Sequence, residues 1–188
     1  MKFNILTLFP EFFNSPTGIG VVGQAVKKNI ISISTVNPRD YSKDKHSAVD
    51  DTPYGGGDGM LMQSQPLPDA LNSLPSESKG RVVYLSCHGQ PWTDKKVKEY
   101  AQLNEPVTLI CGRYAGVDQR FIQSYVDEEI WISDYVLSGG EPAALSIIDS
   151  IARFIPQVLG NRDSAIEDSF VDGLLEAPQF TRPEFDLD

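Results

Sequence analysis

The feature that most constrains the fold is the alternation of short apolar runs with helical patterns along the chain. The runs are continuous rather than alternating with polar residues, which is typical of strands buried on both faces of a parallel sheet. Strand–helix alternation predicts an α/β fold, with a mostly parallel sheet and helices on both faces. The predicted strands are Phe3 to Phe9, Ile31 to Val36, Arg81 to Ser86, Val107 to Cys111 and Glu129 to Ile132.

Helices are predicted from capping residues and from apolar residues at helical spacing. Thr93 and Asp118 suit N-cap positions, and Pro156 would end the longest helix, which begins near Gly140. The other predicted helices run from Ala25 into Lys28, over Leu67 to Leu74, from Thr93 through Tyr100 and over Asp118 to Tyr125.

The composition is that of a globular protein, with 40% hydrophobic and 22% charged residues. The first apolar run is broken by Pro10 and is too short to span a membrane, so we predict a cytoplasmic protein without membrane association. The net charge of −10 points away from nucleic acid, because phosphates attract clustered Lys and Arg. Cys87 and Cys111 lack the spacing of a zinc site and are predicted to be buried, reduced thiols.

Two segments do not fit a compact unit. Residues 37–65 show little periodicity, and loops of this length are usually functional or disordered. The segment after Gly160 contains Pro178, Pro183 and several acids and is typical of a linker. We predict one domain over residues 1–160, followed by a linker over residues 161–188.

Three glycine-bearing loops follow the last three predicted strands, at His88-Gly89, Gly112 to Gly116 and Ser138 to Gly140. In open parallel sheets, ligands bind at the carboxyl ends of the strands. Glycine lets the backbone approach a ligand closely, so the three loops together predict a site for adenine and ribose, although each glycine alone could simply end a strand. No phosphate-binding motif and no GxSxG motif occurs, and His46 and His88 are too few for most zinc chemistry.

The segment from Asp50 to Met60 contains four glycines in five positions, which indicates a loop that shapes itself around a partner, or a flexible surface turn. Just upstream, Arg39, Lys43, Lys45 and His46 form a basic cluster in an acidic chain. This cluster has two interpretations, a contact with phosphate groups and a surface that simply faces solvent.

These motifs, in this order, closely resemble the TrmD family of bacterial tRNA (guanine-N1)-methyltransferases, which belong to the SPOUT class. The likeness covers almost the whole chain. It is carried by LFPEFF from Leu8, GVVGQAVKK from Gly20, PRDY from Pro38, VDDTPYGGGDGM from Val49, CGRYAGVDQR from Cys111, SDYVLSGGE from Ser133, IARFIPQVLG from Ile151, EDSF from Glu167 and TRPEF from Thr181.

The resemblance implies a deep trefoil knot near the C-terminal half and S-adenosylmethionine bound in the knotted loops. It implies a homodimer whose active site lies at the subunit interface, with cofactor from one chain and catalytic groups from the other. The implied cofactor-binding residues are Tyr84, Leu85, Ser86, Gly89, Gly112, Tyr114, Ile132, Ser133, Tyr135, Val136, Leu137, Gly139 and Gly140.

The implied reaction is methylation of N1 of the guanosine immediately 3′ of the anticodon. Guanine N1 carries a proton at neutral pH, so its attack on a methyl group needs a base and stabilisation of charge at O6. The resemblance assigns Asp168 as the base and Arg153 as the charge stabiliser. In a purely structural interpretation, Asp168 caps a turn and Arg153 is a helix residue that faces solvent. The implied tRNA-binding residues are His46, Asp50, Gly55, Gly56, Gly57, Gly59 and Ser164.

The chain departs from the family pattern in two ways that matter for function. The family usually has Glu, an acid tied to magnesium dependence, where this chain has Ala115, so a magnesium requirement is open. Family members also continue into a basic C-terminal domain that helps to bind tRNA. We expect residues 161–188 to be an interdomain linker and the start of that domain, most of which this chain lacks. The alternative function is a non-catalytic dimeric module that binds S-adenosylmethionine or RNA. An α/β enzyme acting on another nucleotide is disfavoured, because phosphate motifs are missing.

Overall fold

A computed structural model describes residues 1–103, 105–160, 169–170 and 175–182. Its central sheet has five strands, all parallel, in the order β2-β1-β6-β5-β7, and a two-stranded antiparallel ladder joins β3 to β4. The strands are β1 (Lys2–Leu6), β2 (Ser32–Val36), β3 (Asp50–Asp51), β4 (Leu61–Met62), β5 (Arg81–Pro91), β6 (Val107–Ile110) and β7 (Glu128–Trp131). The predicted fold class and all five predicted strands are confirmed; the knot stays a prediction.

The helices cover both faces of the sheet, as the apolar strands require. One face packs under α1, α4 and α6 and the other under α2 and α5, because neighbouring strand residues such as Val82 and Val83 point to opposite faces. The helices are α1 (Gly20–Lys27), α2 (Leu67–Asn72), α3 (Ser76–Lys79), α4 (Asp94–Ala101), α5 (Gln119–Tyr125) and α6 (Glu141–Ala152), with 3-10 turns at Pro10–Phe13, Pro16–Gly18 and Pro38–Tyr41.

Both predicted helix caps are present. The Thr93 side chain accepts a hydrogen bond from the Lys96 backbone N–H, and the Asp118 side chain accepts one from the Arg120 backbone N–H. The short helix α3 and the β3–β4 ladder were not predicted, because four residues and two residues are too few to display a period. In the part of the chain that the structure describes, no helix is long and apolar enough to cross a membrane.

Strand β5 differs from its prediction in a way that shapes the site. The prediction ended it at Ser86, where the apolar run stops, but its pairing with β7 resumes at Gln90 after a register shift. Leu85 and Gln90 both oppose Ile130, so the residues between them bulge out of the sheet. This bulge lies at the carboxyl edge of the sheet.

Candidate active site

A cleft of about 230 Å³ lies at the carboxyl ends of β5, β6 and β7, which are neighbours in the sheet. Its walls are the bulge of β5, the loop after β6 and the loop between β7 and α6. The three glycine-bearing loops predicted from the sequence therefore lie next to one another, because they follow neighbouring parallel strands. The lining residues are Tyr84 to His88, Gly112 to Gly116, Ile130 to Ser133, Tyr135 to Gly140 and Ala143.

Two glycines in the cleft occupy positions where no side chain fits. A Cβ on Gly112 would lie 2.9 Å from the ring of Tyr84, and a Cβ on Gly140 would lie 2.7 Å from the Cα of Cys111. The loops therefore approach one another by backbone contact, as the hydrogen bond of 3.0 Å from the Gly140 N–H to the Gly112 carbonyl also shows. At Gly112 and Gly140, therefore, the cleft is lined by main chain alone.

Twelve of the thirteen predicted cofactor residues line this cleft. The exception is Gly89, which packs against β7 instead, where an added Cβ would meet the backbone carbon of Glu129 at 2.4 Å. Gly89 thus permits close strand packing beneath the cleft wall. Whether the twelve bind a cofactor stays a prediction.

A buried ion pair joins two of the cleft loops, and sequence reasoning missed it. Arg113 Nη2 lies 2.8 Å from Oε2 of Glu141, whose side chain is 0% exposed. Arg113 Nη1 also donates to the Ser138 carbonyl at 3.2 Å, while the Thr7 hydroxyl donates to Glu141 Oε1 at 2.7 Å. The guanidinium lies 4.4 Å from the centre of the Phe9 ring. Arginine in CGRYAG and glutamate in SGGE were visible in the sequence, but their pairing depends on the chain path.

Burial sets the protonation of the residues that form the inner wall. Burial and then the nearby Glu129 raise the pKa of Tyr84 to about 12, and burial followed by Glu141 raises the pKa of the Cys111 thiol. Both groups are neutral at physiological pH, so neither is a ready base or nucleophile. The prediction that Cys111 is buried is confirmed. The same prediction for Cys87 is wrong: this free thiol is exposed, because the β5 bulge carries it out of the sheet.

Tyr114 connects the cleft to the basic cluster. Its backbone has a φ of 60°, and its hydroxyl accepts a hydrogen bond of 3.3 Å from Arg39 Nη2. Partial burial and then a hydrogen bond with Asp50 raise the pKa of Tyr114. Arg39 and Asp50 therefore lie beside the cleft although they precede Tyr114 by more than 60 residues.

The glycine-rich segment from Asp50 to Met60, called the glycine loop below, is attached by hydrogen bonds to the loop after β6. The Ala115 N–H donates to the Met60 carbonyl at 2.8 Å, and the Met62 N–H donates to the Gly116 carbonyl at 2.9 Å. All four loop glycines have φ between 85° and 127°, a region that other residues rarely adopt. The predicted tRNA-binding residues on this loop, which are Asp50, Gly55, Gly56, Gly57 and Gly59, therefore lie together near the cleft. The predicted His46 is exposed a few residues upstream.

The predicted catalytic residue Arg153 does not line the cleft of its own chain. Arg153 is exposed and follows the last residue of α6, at the opposite end of that helix from Gly140. Asp168 and the predicted tRNA-binding Ser164 lie outside the described residues. Among the described residues no group of three His, Cys, Asp or Glu side chains could hold a metal ion.

This chain matches one protein family over nearly all of its residues. The family model described as "tRNA (Guanine-1)-methyltransferase TrmD" matches residues 1–186. A protein of Vibrio campbellii named tRNA (guanine-N(1)-)-methyltransferase is 55% identical over 186 residues, covering 98% of this chain and 75% of its own length. Proteins with the same name from Photobacterium profundum and Vibrio vulnificus are 54% and 55% identical to this chain. Each of these two alignments covers 98% of this chain and 74% of the relative.

Proposed function

Because the chain belongs to the tRNA (guanine-1)-methyltransferase family TrmD, we propose that it methylates N1 of the guanosine immediately 3′ of the tRNA anticodon, using S-adenosylmethionine. The observation that carries this proposal is the cleft that three glycine-bearing loops form at the carboxyl edge of β6-β5-β7. We further propose that residues 1–160 form the methyltransferase domain, that residues 161–188 are a linker, and that the enzyme acts in the cytoplasm.

The cleft fits the chemistry of S-adenosylmethionine. The backbone N–H and C=O groups of the three loops can hydrogen-bond an adenine edge and a ribose, and Ile132, Val136 and Leu137 supply apolar surface. Gly112 and Gly140 add no side chain to the cleft, and neither position has room for one. When bound, S-adenosylmethionine supplies an electrophilic methyl group on its sulfonium. The neutral Tyr84 and Cys111 offer no competing nucleophile at neutral pH.

The target atom dictates the roles of the two proposed catalytic residues. Asp168 accepts the N1 proton, which leaves N1 with the lone pair that methylation requires. Arg153 stabilises the negative charge that develops on O6 as the proton leaves. The side chain of Ala115 has no oxygen to offer a cation, so magnesium does not act through a side chain at this position.

The length of α6 supports the homodimer. With 12 residues the helix is about 18 Å long, and it has Gly140 of the cleft at its start and Arg153 just past its end. Such a separation exceeds the reach of an arginine side chain. Arg153 therefore acts on the cleft of the partner subunit, and each active site contains groups from both subunits.

The test is calorimetric titration with S-adenosylmethionine, followed in the same preparation by a methyl-transfer assay on tRNA with guanosine 3′ of the anticodon, with and without a magnesium chelator. Asp168→Asn should keep cofactor affinity and abolish transfer; near-normal turnover would refute its role as base. Mixing Asp168→Asn with a variant deficient in cofactor binding, Gly140→Ala, should restore transfer through one intact site per mixed dimer. Cofactor binding without transfer by the unsubstituted chain would favour the non-catalytic module.

A further inference from the structure

The loop between β7 and α6 forms one wall of the cleft, and part of it faces solvent, since Val136 is 94% exposed. Among the described residues, two hydrogen bonds join it to the loop after β6. The Gly140 N–H donates to the Gly112 carbonyl at 3.0 Å. Nη1 of Arg113 donates to the Ser138 carbonyl at 3.2 Å. Arg113 therefore supplies a side-chain contact that fixes the shape of this wall.

The guanidinium of Arg113 also packs against a ring and a backbone. Its carbon lies 4.4 Å from the centre of the Phe9 ring. A Cβ added to Gly139 would lie 2.3 Å from Nε and 2.5 Å from Cζ, so a side chain at this position would displace the guanidinium. A planar group suits such a contact, which a lysine ammonium cannot reproduce. Since Gly139 lines the cleft, the position of the guanidinium and the shape of the wall depend on each other.

One donor of Arg113 has no acceptor. Its Nε is buried and makes no hydrogen bond to any described residue. Buried donors are nearly always paired in folded proteins, so such a group needs an explanation. The Gly139 backbone occupies the space beside Nε, so the loop contact, rather than full hydrogen bonding, sets the position of the guanidinium. Departures of this kind from the best local packing are typical of functional sites.

We propose that Arg113 is a positioning residue for the cofactor. Through its hydrogen bond to Ser138 and its contact with Gly139, it holds the β7–α6 loop in the shape that receives S-adenosylmethionine. Glu141 and Phe9 fix the guanidinium in turn. The inference rests on the proposed function, because it takes the cleft as the cofactor site. A loop that is ordered in advance lowers the entropy cost of binding, so Arg113 acts on cofactor affinity and not on the chemical step.

The first experiment compares Arg113→Met with the double variant Arg113→Met/Glu141→Leu. Replacing both partners of a buried ion pair by apolar groups restores much of the stability that is lost with one partner. Neither variant can donate to the Ser138 carbonyl, so S-adenosylmethionine affinity by calorimetry should be about tenfold or more weaker in both, as expected for loss of a hydrogen bond from a charged group. Recovery of affinity together with stability in the double variant would show a stabilising role alone and overturn the proposal.

Steady-state kinetics separates positioning from chemistry. In the double variant the KM for S-adenosylmethionine should rise about tenfold or more, while kcat at saturating cofactor stays within about 3-fold. A fall in kcat with an unchanged KM would place Arg113 in the chemical step and refute the proposal. Arg113→Lys should have an intermediate KM, because lysine keeps the charge opposite Glu141 but lacks the planar fork. Thr93→Ala is the control, since loss of a helix cap away from the cleft destabilises the fold and should leave KM unchanged.

The loop itself can be observed without cofactor. Hydrogen exchange of the Gly140 amide, followed by NMR, reports how often the loop opens away from Gly112. Exchange should be about tenfold or more faster in the double variant, because the loop has lost the hydrogen bond from Arg113. An unchanged rate would contradict the proposal. If the unsubstituted protein binds no S-adenosylmethionine, the proposed function fails, and the Gly140 exchange rate still decides whether Arg113 holds the loop.

Discussion

Removing one partner of the Arg113–Glu141 ion pair should destabilise the protein more than removing both. Arg113→Met leaves a carboxylate that is 0% exposed, and among the described residues the Thr7 hydroxyl still donates to it at 2.7 Å. Glu141→Leu leaves a guanidinium whose side chain is 20% exposed and still donates to the Ser138 carbonyl. The arginine substitution should therefore be the more costly of the two.

The expected size follows from the cost of an unpaired buried charge. Loss of one partner of a buried pair typically destabilises by about 3 to 5 kcal/mol, out of a total stability of about 5 to 15 kcal/mol for a domain. We place Arg113→Met near the upper end of that range. Glu141→Leu belongs at or below its lower end, because solvent and Phe9 still stabilise the cation. The double variant replaces the pair by apolar groups and should cost less than Arg113→Met alone.

The measurement is a double-mutant cycle from urea unfolding, followed by tryptophan fluorescence and by circular dichroism, whose curves must coincide. We expect a coupling energy of at least about 2 kcal/mol between the two sites. Costs that add within about 0.5 kcal/mol would refute the reasoning, since independent sites behave in that way. Cofactor titration of the folded variants should show weaker binding, because the pair joins the loops of Gly112 and Ser138.

Three further predictions concern the cleft floor, a helix cap and acid stability. Gly112→Ala places a Cβ 2.9 Å from the Tyr84 ring and should weaken S-adenosylmethionine binding about tenfold or more by calorimetry, as overpacking of about 1 to 3 kcal/mol implies; unchanged affinity would show that the ring moves freely. Thr93→Ala removes the side chain that accepts from the Lys96 N–H and should lower the free energy of unfolding in urea by about 1 kcal/mol without changing cofactor affinity. A decrease of less than about 0.5 kcal/mol would mean that water replaces the cap. Burial tends to raise the pKa of Glu128, but hydrogen bonds from Lys96 and Tyr100 outweigh it and lower that pKa below 4.5. The ionised form therefore stabilises the fold above pH 4.5, and this stability is lost as the pH falls through the lowered value; Glu128→Gln should flatten the acid limb of a stability–pH curve, and an unaltered limb would argue against the assignment.

Local patterns were enough to predict the five strands of the central sheet and the helices longer than four residues. The apolar runs at Phe3, Val107 and Ile130 are buried strands, because a strand that is apolar on both faces must be covered by helices on both faces of the sheet. The caps Thr93 and Asp118 mark helix starts through contacts within three residues. The prediction failed at Cys87, since a bulge in the β5–β7 pairing leaves no trace in the period of either strand.

The candidate site was partly predictable for a similar reason. Glycine in three loops indicated a backbone-lined site, and parallel strands put their carboxyl ends at one edge, so Tyr84, Gly112 and Gly140 were predicted correctly as neighbours. The partners that hold these loops were not predicted. Thr7 and Glu141 are 134 residues apart in sequence, and their hydrogen bond depends on where each crossover returns.

The sequence by itself determined the α/β class, the strands and helices, the three glycine loops and the family, because all of these depend on residue identity over short stretches or on motif order. Only the tertiary structure decided the strand order, the burial of Arg113 against Glu141 and the exposure of Cys87. These features depend on long-range contacts, and the free energy of such contacts is set by the path of the chain through space. Local periodicity carries no information about that path.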